Sequence, residues 1–191
     1  KDGWAYEDVQ QELKRAEHNE RRSCEYHGNG GPRYVADIQQ PNELSEAFIE
    51  AGQTVGLPHN EDFNAGEQSG VGFYQVTQKD GQRHSAADAY LKPVLGRSNL
   101  TATTGAQVSQ VRFDGRTAVG VDYVKDGSTE TVDAAEEVIL SAGTINSPQL
   151  LMLSGVGPAD HLEAHDIPVV HDLPGVGKNL QDHLQVKINY A

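Results

Sequence analysis

Apolar and polar positions follow two rhythms along this chain, helical in its first half and alternating after residue 99. Between 3 and 19, Val9, Leu13 and Ala16 recur at helical spacing among charged residues, predicting a surface helix with Trp4 and Tyr6 packed at its start. Residues 18–33 are polar and glycine-rich, which predicts loop, and 34–38 suit a strand. A second helix opens at Pro41-Asn42, carries Leu44, Ala47, Phe48, Ala51 and Val55 on one face, and stops before Gly56. Residues 57–70 have no periodicity, and a loop of that length in a compact domain is commonly functional or mobile. A strand is expected over 71–77 and a helix over 83–95.

From 99 to 140 the elements shorten into strands. Segments 99–104, 108–113, 118–124 and 129–132 are separated by Gly105, Asp114-Gly115-Arg116 and Lys125-Asp126-Gly127-Ser128. The Asp-Gly pairs are hairpin signals, so a small antiparallel meander is expected. Val138-Ile139-Leu140 then reads as a buried strand ending in Ser141-Ala142-Gly143. Ser147 is expected to cap the next helix with Pro148 at its first position, and Gly155 to end it. A buried strand, a turn of small residues and a helix N-terminus together suit an anionic or dinucleotide group. Pro158 is expected to start a further helix carrying Leu162, with strands over 167–170 and 184–190.

Charge and composition narrow the function classes. A formal net charge of −13 over 191 residues argues against a nucleic-acid partner, whose phosphates require a basic face. Such a surface favours solubility and also fits a salt-adapted source. The single cysteine, Cys24, permits no internal disulfide, and a reducing, cytoplasmic setting is expected. No apolar run approaches the roughly 20 residues of a membrane span.

The residues carry a resemblance as well. Gly143, Ser147-Pro148, Leu150-Leu151 and Ser154-Gly155-Val156-Gly157 fill the fixed positions of a family signature. Upstream stand Gly81-Gln82-Arg83-His84-Ser85-Ala86-Ala87, Ala89-Tyr90-Leu91 and Pro93. Downstream stand Leu173-Pro174-Gly175-Val176-Gly177 and Asn179-Leu180-Gln181-Asp182-His183. The chain resembles the glucose–methanol–choline (GMC) family of FAD-dependent oxidoreductases, nearest its choline dehydrogenase-like and alcohol dehydrogenase-like members.

That resemblance implies an α/β to α+β fold: part of a Rossmann-like FAD-binding half with an inserted antiparallel meander, and part of a substrate domain with a mainly antiparallel sheet. It implies substrate-domain residues at 1–79, flavin-side residues at 80–183, and a return strand at 184–191. FAD is the implied cofactor, with backbone contacts from Val108 to the adenine ring and close approach of Ser141, Ala142 and Gly143 to the adenosine end. A small-molecule alcohol is the implied substrate, oxidised to an aldehyde by hydride transfer to flavin. The region of Asp62-Phe63-Asn64 would lie near the active-site entrance, although a solvated acidic loop explains it equally. Gln75 and Thr77 could face the cavity or simply pair across strands.

The resemblance also sets expectations about what is missing. None of the G-x-G pairs at 28/30, 70/72, 155/157 and 175/177 has the third glycine of a dinucleotide fingerprint. The family's catalytic histidine is expected beyond residue 191, so no catalytic residue is assigned within the chain. The chain is therefore expected to be an interior piece, inactive alone and weak in binding free FAD, with other segments of the same enzyme as partners.

Other chemistries fit poorly. His161, His165, His171 and His183 lack metal-motif spacing, and no metal site is expected. His183 belongs to the downstream motif, where Asn179 and Asp182 are expected to bond backbone. No G-x-S-x-G elbow supports a hydrolase. Two alternatives stay open: an FAD-containing hydroxynitrile lyase-type relative, and a folded core with no autonomous function.

Overall fold

The computed structural model describes residues 2–187, which form two compact units dividing after Ala102.

In the first unit, α1 (Tyr6–Ala16) is shorter than expected and leads straight into β1 (Glu17–Asn19). The Asp8 carboxylate accepts the Ala5 N–H at 3.0 Å, and Glu7 and Asp8 suit the positive end of the helix. Trp4 is 71% exposed, so the expected packing of this ring at the helix start does not occur within the described chain. β1 pairs in parallel with β2 (Arg33–Val35), and Ala36 bridges to Val76. The expected strand at 71–77 is reduced to two isolated bridges, His59 to Val71 and Ala36 to Val76.

Helix α2 (Glu43–Thr54) begins as its sequence predicts, with Asn42 Oδ1 accepting the Leu44 N–H at 2.9 Å. Its buried side differs from its apolar stripe. Leu44, Phe48 and Val55 are exposed, while Ile49 is buried. Gly52 lets Val71 approach so closely that an added Cβ would lie 3.2 Å from both Val71 methyls, and this contact orients the helix.

A hairpin follows, β3 (Gln78–Lys79) with β4 (Gln82–Arg83). Its turn residues Asp80 and Gly81 both have positive φ, 52° and 73°, as a two-residue loop of matching twist requires. Instead of one helix over 83–95 there is a π-helical turn (Ala87–Leu91) continuing into a 3₁₀ turn (Lys92–Val94). Ser85 and Asp88 start it reciprocally: Asp88 Oδ2 accepts the Ser85 N–H at 2.8 Å, and Ser85 Oγ accepts the Asp88 N–H at 3.3 Å. Pro93 supplies no N–H, which explains why regular i→i−4 bonding does not extend across it.

The second unit contains the expected meander: β5 (Gln107–Asp114), β6 (Thr117–Lys125) and β7 (Ser128–Asp133), antiparallel in that order. The Asp126-Gly127 turn has φ of 51° and 80°. Two expected strands do not form. Residues 99–104 are unpaired, as are 138–140, where Ile139 is 76% exposed. Among the described residues no strand lies alongside either segment to share a ladder.

Helix α3 (Gly143–Leu153) starts four residues before Ser147, placing Pro148 inside it. Ser147 Oγ nonetheless serves the N-terminal end, accepting the Ala142 N–H at 3.1 Å. Gly155 ends the helix at φ 82°, where an added Cβ would overlap the Pro168 carbonyl. β8 (Val156–Gly157) pairs in parallel with β9 (His171–Asp172), displacing the strand expected at 167–170. Pro158 precedes α4 (Ala159–Glu163), whose Leu162 is fully buried. Of the strand expected at 184–190, residues 184–187 are irregular and 188–190 lie outside the described residues.

Candidate functional site

Among the described residues, Gln75 and Thr77 border a cleft in the first unit, and Val108, Ser141, Ala142 and Gly143 lie in the second.

The cleft in the first unit has a volume of about 720 Å³. Tyr6 and Leu13 of α1, Glu17 of β1, Tyr26 and His27 of the following loop, and Gln75 contribute to its lining. Part of its wall comes from the acidic loop through Asn64, Ala65, Gly66 and Gln68. Thr77 lines it too, so both Gln75 and Thr77 border a cavity. A hydrogen bond to Glu25 pushes the Tyr26 phenol above its ordinary pKa, favouring the neutral hydroxyl.

Beneath this cleft lies a polar network that local sequence does not reveal. His27, 4% exposed, has Nδ1 3.0 Å from both Glu17 carboxylate oxygens and Nε2 3.0 Å from Asp62 Oδ2. Glu17 also accepts from the Gly28 N–H at 3.0 Å and from Asn19 Nδ2 at 3.2 Å. Asn19, itself buried, donates to Gln75 Oε1 at 2.8 Å, and Gln75 Nε2 donates to Asp37 Oδ1 at 2.8 Å. Arg22 Nε lies 3.4 Å from Asp62 Oδ2, within ion-pair range but not aligned as a hydrogen bond, while its Nη2 donates to the Glu61 carbonyl at 2.5 Å. Buried polar groups need such partners, since each one left unmet costs about 1–3 kcal/mol.

The residues of the second unit lie at the edge of the meander and the start of α3. Val108 lies on β5, an edge strand, opposite Tyr123, and the register shifts between Val108 and Gln110. The Val108 carbonyl accepts from Gln107 Nε2 at 3.3 Å. An edge strand keeps one row of N–H and C=O groups free for a ligand. Ser141, Ala142 and Gly143 are all exposed at the N-terminus of α3. Gly143 has φ 87°, and open space surrounds the position a Cβ would occupy. These three residues adjoin one another, and no hydrogen bond joins them to Val108 among the described residues. The elements carrying them are nevertheless tied, because Ser154 at the end of α3 accepts the Val111 N–H of β5 at 2.8 Å.

Among the described residues no group of three or more His, Cys, Asp or Glu side chains is arranged to hold an ion. No helix among them is long and apolar enough to cross a membrane.

The family model described as GMC oxidoreductase matches residues 1–185. An alcohol dehydrogenase [acceptor] of Pseudomonas putida is 48% identical over 98% of this chain and 35% of its own length. The mitochondrial choline dehydrogenase of Mus musculus is 47% identical over 100% of this chain and 32% of its own. Among solved structures, pyridoxine 4-oxidase from Mesorbium loti superposes with a TM-score of 0.83 at 36% identity, covering 90% of this chain and 34% of that one. An FAD-dependent oxidoreductase from Chaetomium thermophilum gives 0.87 at 31% identity, covering 95% and 34%. The chain spans about a third of the length of the curated relatives it matches.

Proposed function

This chain belongs to the GMC oxidoreductase family, and we propose that the protein carrying it oxidises an alcohol to an aldehyde with FAD as cofactor. The observation that carries the reading is identity of 47–48% along essentially the whole chain with an alcohol dehydrogenase and a choline dehydrogenase. None of the relatives named above is a lyase, so the cyanohydrin-cleaving alternative has no comparable support.

The residues present fit the adenosine end of FAD. Adenine offers an amino donor beside a ring-nitrogen acceptor, and an edge strand offers a carbonyl and an N–H to match. In this reading the Val108 backbone holds the adenine ring at the outer edge of β5. Ser141, Ala142 and Gly143 allow close approach at a helix N-terminus, whose positive end favours the anionic side of the cofactor. Bound FAD supplies the hydride acceptor. The contribution of this chain is binding and orientation, and no residue in it is proposed as the catalytic base.

The domain assignment follows the same reading, with residues 1–79 and 184–191 on the substrate side and 80–183 on the flavin side. Segment 80–102 packs within the first compact unit of this chain. Assignment by ligand and assignment by local packing are separate properties. Partners are the alcohol and the other segments of the same enzyme.

The test is to purify the full-length polypeptide that carries this chain. We expect a yellow protein that releases FAD on denaturation, with flavin absorbance bleached under anaerobic conditions by choline or a simple primary alcohol. A colourless full-length protein, or a flavin that no alcohol reduces, overturns the reading.

A further inference from the structure

We propose that His161 and His165 form a two-imidazole site for a late first-row divalent cation, Cu²⁺ most tightly and Ni²⁺ or Zn²⁺ less so. The inference rests on the second unit alone and holds whatever the protein oxidises.

Residues four apart on a helix lie on the same side, one turn above the other. His161 lies in α4 and His165 just past its C-terminal end, and both are exposed. Their ring centroids are 4.8 Å apart, with the ring planes at 74°. A metal ion stands about 2.0–2.1 Å from an imidazole nitrogen, and so about 3.2 Å from the ring centroid. Two rings that share one ion at roughly 90–110° therefore have centroids about 4.5–5.2 Å apart. The observed separation falls inside that interval. Turning one nitrogen of each ring toward the shared point takes rotation about χ2, a broad terminal torsion that costs little.

The backbone beneath the pair is fixed. The Ile167 N–H donates to the Leu162 carbonyl at 3.0 Å and the Asp166 N–H to the Glu163 carbonyl at 3.1 Å. These two bonds close the turn, with Asp166 in the left-handed region at φ 56°. Leu162, between the two histidines in sequence, is fully buried and anchors the turn. Ligands held in this way bind as a chelate. Once one imidazole has taken the ion, the other meets it at high effective concentration.

Local charge favours a cation as well. From Gly157 to Gly177 the chain carries Asp160, Glu163, Asp166 and Asp172 and neither Lys nor Arg. Ligand chemistry then selects among cations: imidazole suits Cu²⁺, Ni²⁺ and Zn²⁺, whereas Mg²⁺ and Ca²⁺ prefer oxygen. Water completes the shell, because no third His, Cys, Asp or Glu is grouped with the pair among the described residues. The site stands against the sequence-based expectation of no metal, which rests on whole motifs. Leu162 occupies the place of the glutamate in H-E-x-x-H, yet the two histidines keep that motif's four-residue spacing.

The experiment uses the full-length polypeptide carrying this chain at about pH 7.5, where an unperturbed imidazole is mostly neutral. It is titrated with Cu²⁺, and pulsed EPR at one equivalent counts the coordinated imidazoles. In the wild type we expect a tightest site with two imidazoles. Excess Zn²⁺ should compete for it, and excess Mg²⁺ should not. We expect His161→Ala and His165→Ala each to weaken binding there about a hundredfold and to leave one imidazole, since the chelate is lost. Both side chains are exposed, so the metal-free variants should melt like the wild type. A tightest site that keeps its wild-type affinity in either variant overturns the proposal. So does a single imidazole in the wild type, or displacement of Cu²⁺ by Mg²⁺ as readily as by Zn²⁺.

Discussion

The Ser154 hydroxyl joins two elements: it accepts the buried Val111 N–H of β5 at 2.8 Å and donates to the Leu150 carbonyl of α3 at 2.6 Å. One side chain thus satisfies an edge-strand donor and back-bonds the last turn of a helix. Both Ser154 and Val111 are only 3% exposed. Ser154→Ala leaves the Val111 N–H buried without an acceptor, so we expect a loss of about 1–3 kcal/mol. Urea unfolding followed by circular dichroism checks this. A change below about 0.5 kcal/mol, the usual scatter of surface substitutions, means that water or a relaxed backbone replaces the hydroxyl.

Leu162 anchors the end of the second unit. It is fully buried, and its N–H bonds the Pro158 carbonyl while its own carbonyl accepts from Ile167 at 3.0 Å. Its methyls also lie near Gly157, 3.7 and 3.8 Å from where a Cβ would stand. Leu162→Ala is expected to cost about 2–5 kcal/mol through lost transfer energy and the cavity left behind. Leu153→Ala, at a half-exposed position on α3, should cost much less in the same unfolding assay.

What the sequence made legible follows the reach of its signals. The meander was readable because alternation and Asp-Gly turns act over a few residues and need no distant partner. Helix α2 was readable from Asn42 and Gly56 for the same reason. Its buried side was not, because Gly52 and Val71 settle it through a contact 19 positions apart, and glycine is silent in a hydrophobic pattern. The start of α3 was misplaced because Ser147-Pro148 looks like a helix beginning, whereas Ser147 serves a cap from inside the helix. The strand expected at 138–140 has the right residues and no neighbour among the described ones, and a strand is a property of pairs. The His27 network was invisible for a related reason. Glu17, His27 and Asp62 are separated by 10 and 35 positions with no period, and only the fold brings them together. The motifs around 143–157 carried the family by resemblance, which periodicity alone could not.

Asp88 gives a pH dependence with a defined sign. The Lys92 ammonium, followed by the Ser85 hydroxyl and N–H, holds its carboxyl well below the usual carboxylate range. Its folded-state value is therefore depressed relative to the unfolded chain, where aspartate titrates near about 3.9. The stabilisation is present in full above that value and is lost as pH falls from there toward the folded-state value. We expect Asp88→Asn to melt slightly below the wild type at pH 7 and the gap to close as pH is lowered below about 4. Because the pair is solvent-facing, added salt should shrink the gap as well. A gap that widens in acid contradicts the assignment.

The adenine reading of Val108 makes a prediction that separates backbone from side chain. If the contact is made by the peptide groups of β5, the identity of the side chain is of little consequence. Val108→Ala should then leave the flavin content of the full-length protein within error of the wild type. Val108→Pro removes the N–H and fixes φ, so flavin content should fall sharply. An edge strand is where proline is tolerated, and the register shift beside Val108 loosens the ladder further, so the fold should survive the substitution. Circular dichroism and the melting transition of both variants supply the control. If alanine and proline lower flavin content equally while both melt like the wild type, a side-chain contact is responsible. If neither lowers it, β5 is not where the cofactor lies, and Ser141, Ala142 and Gly143 become the place to look.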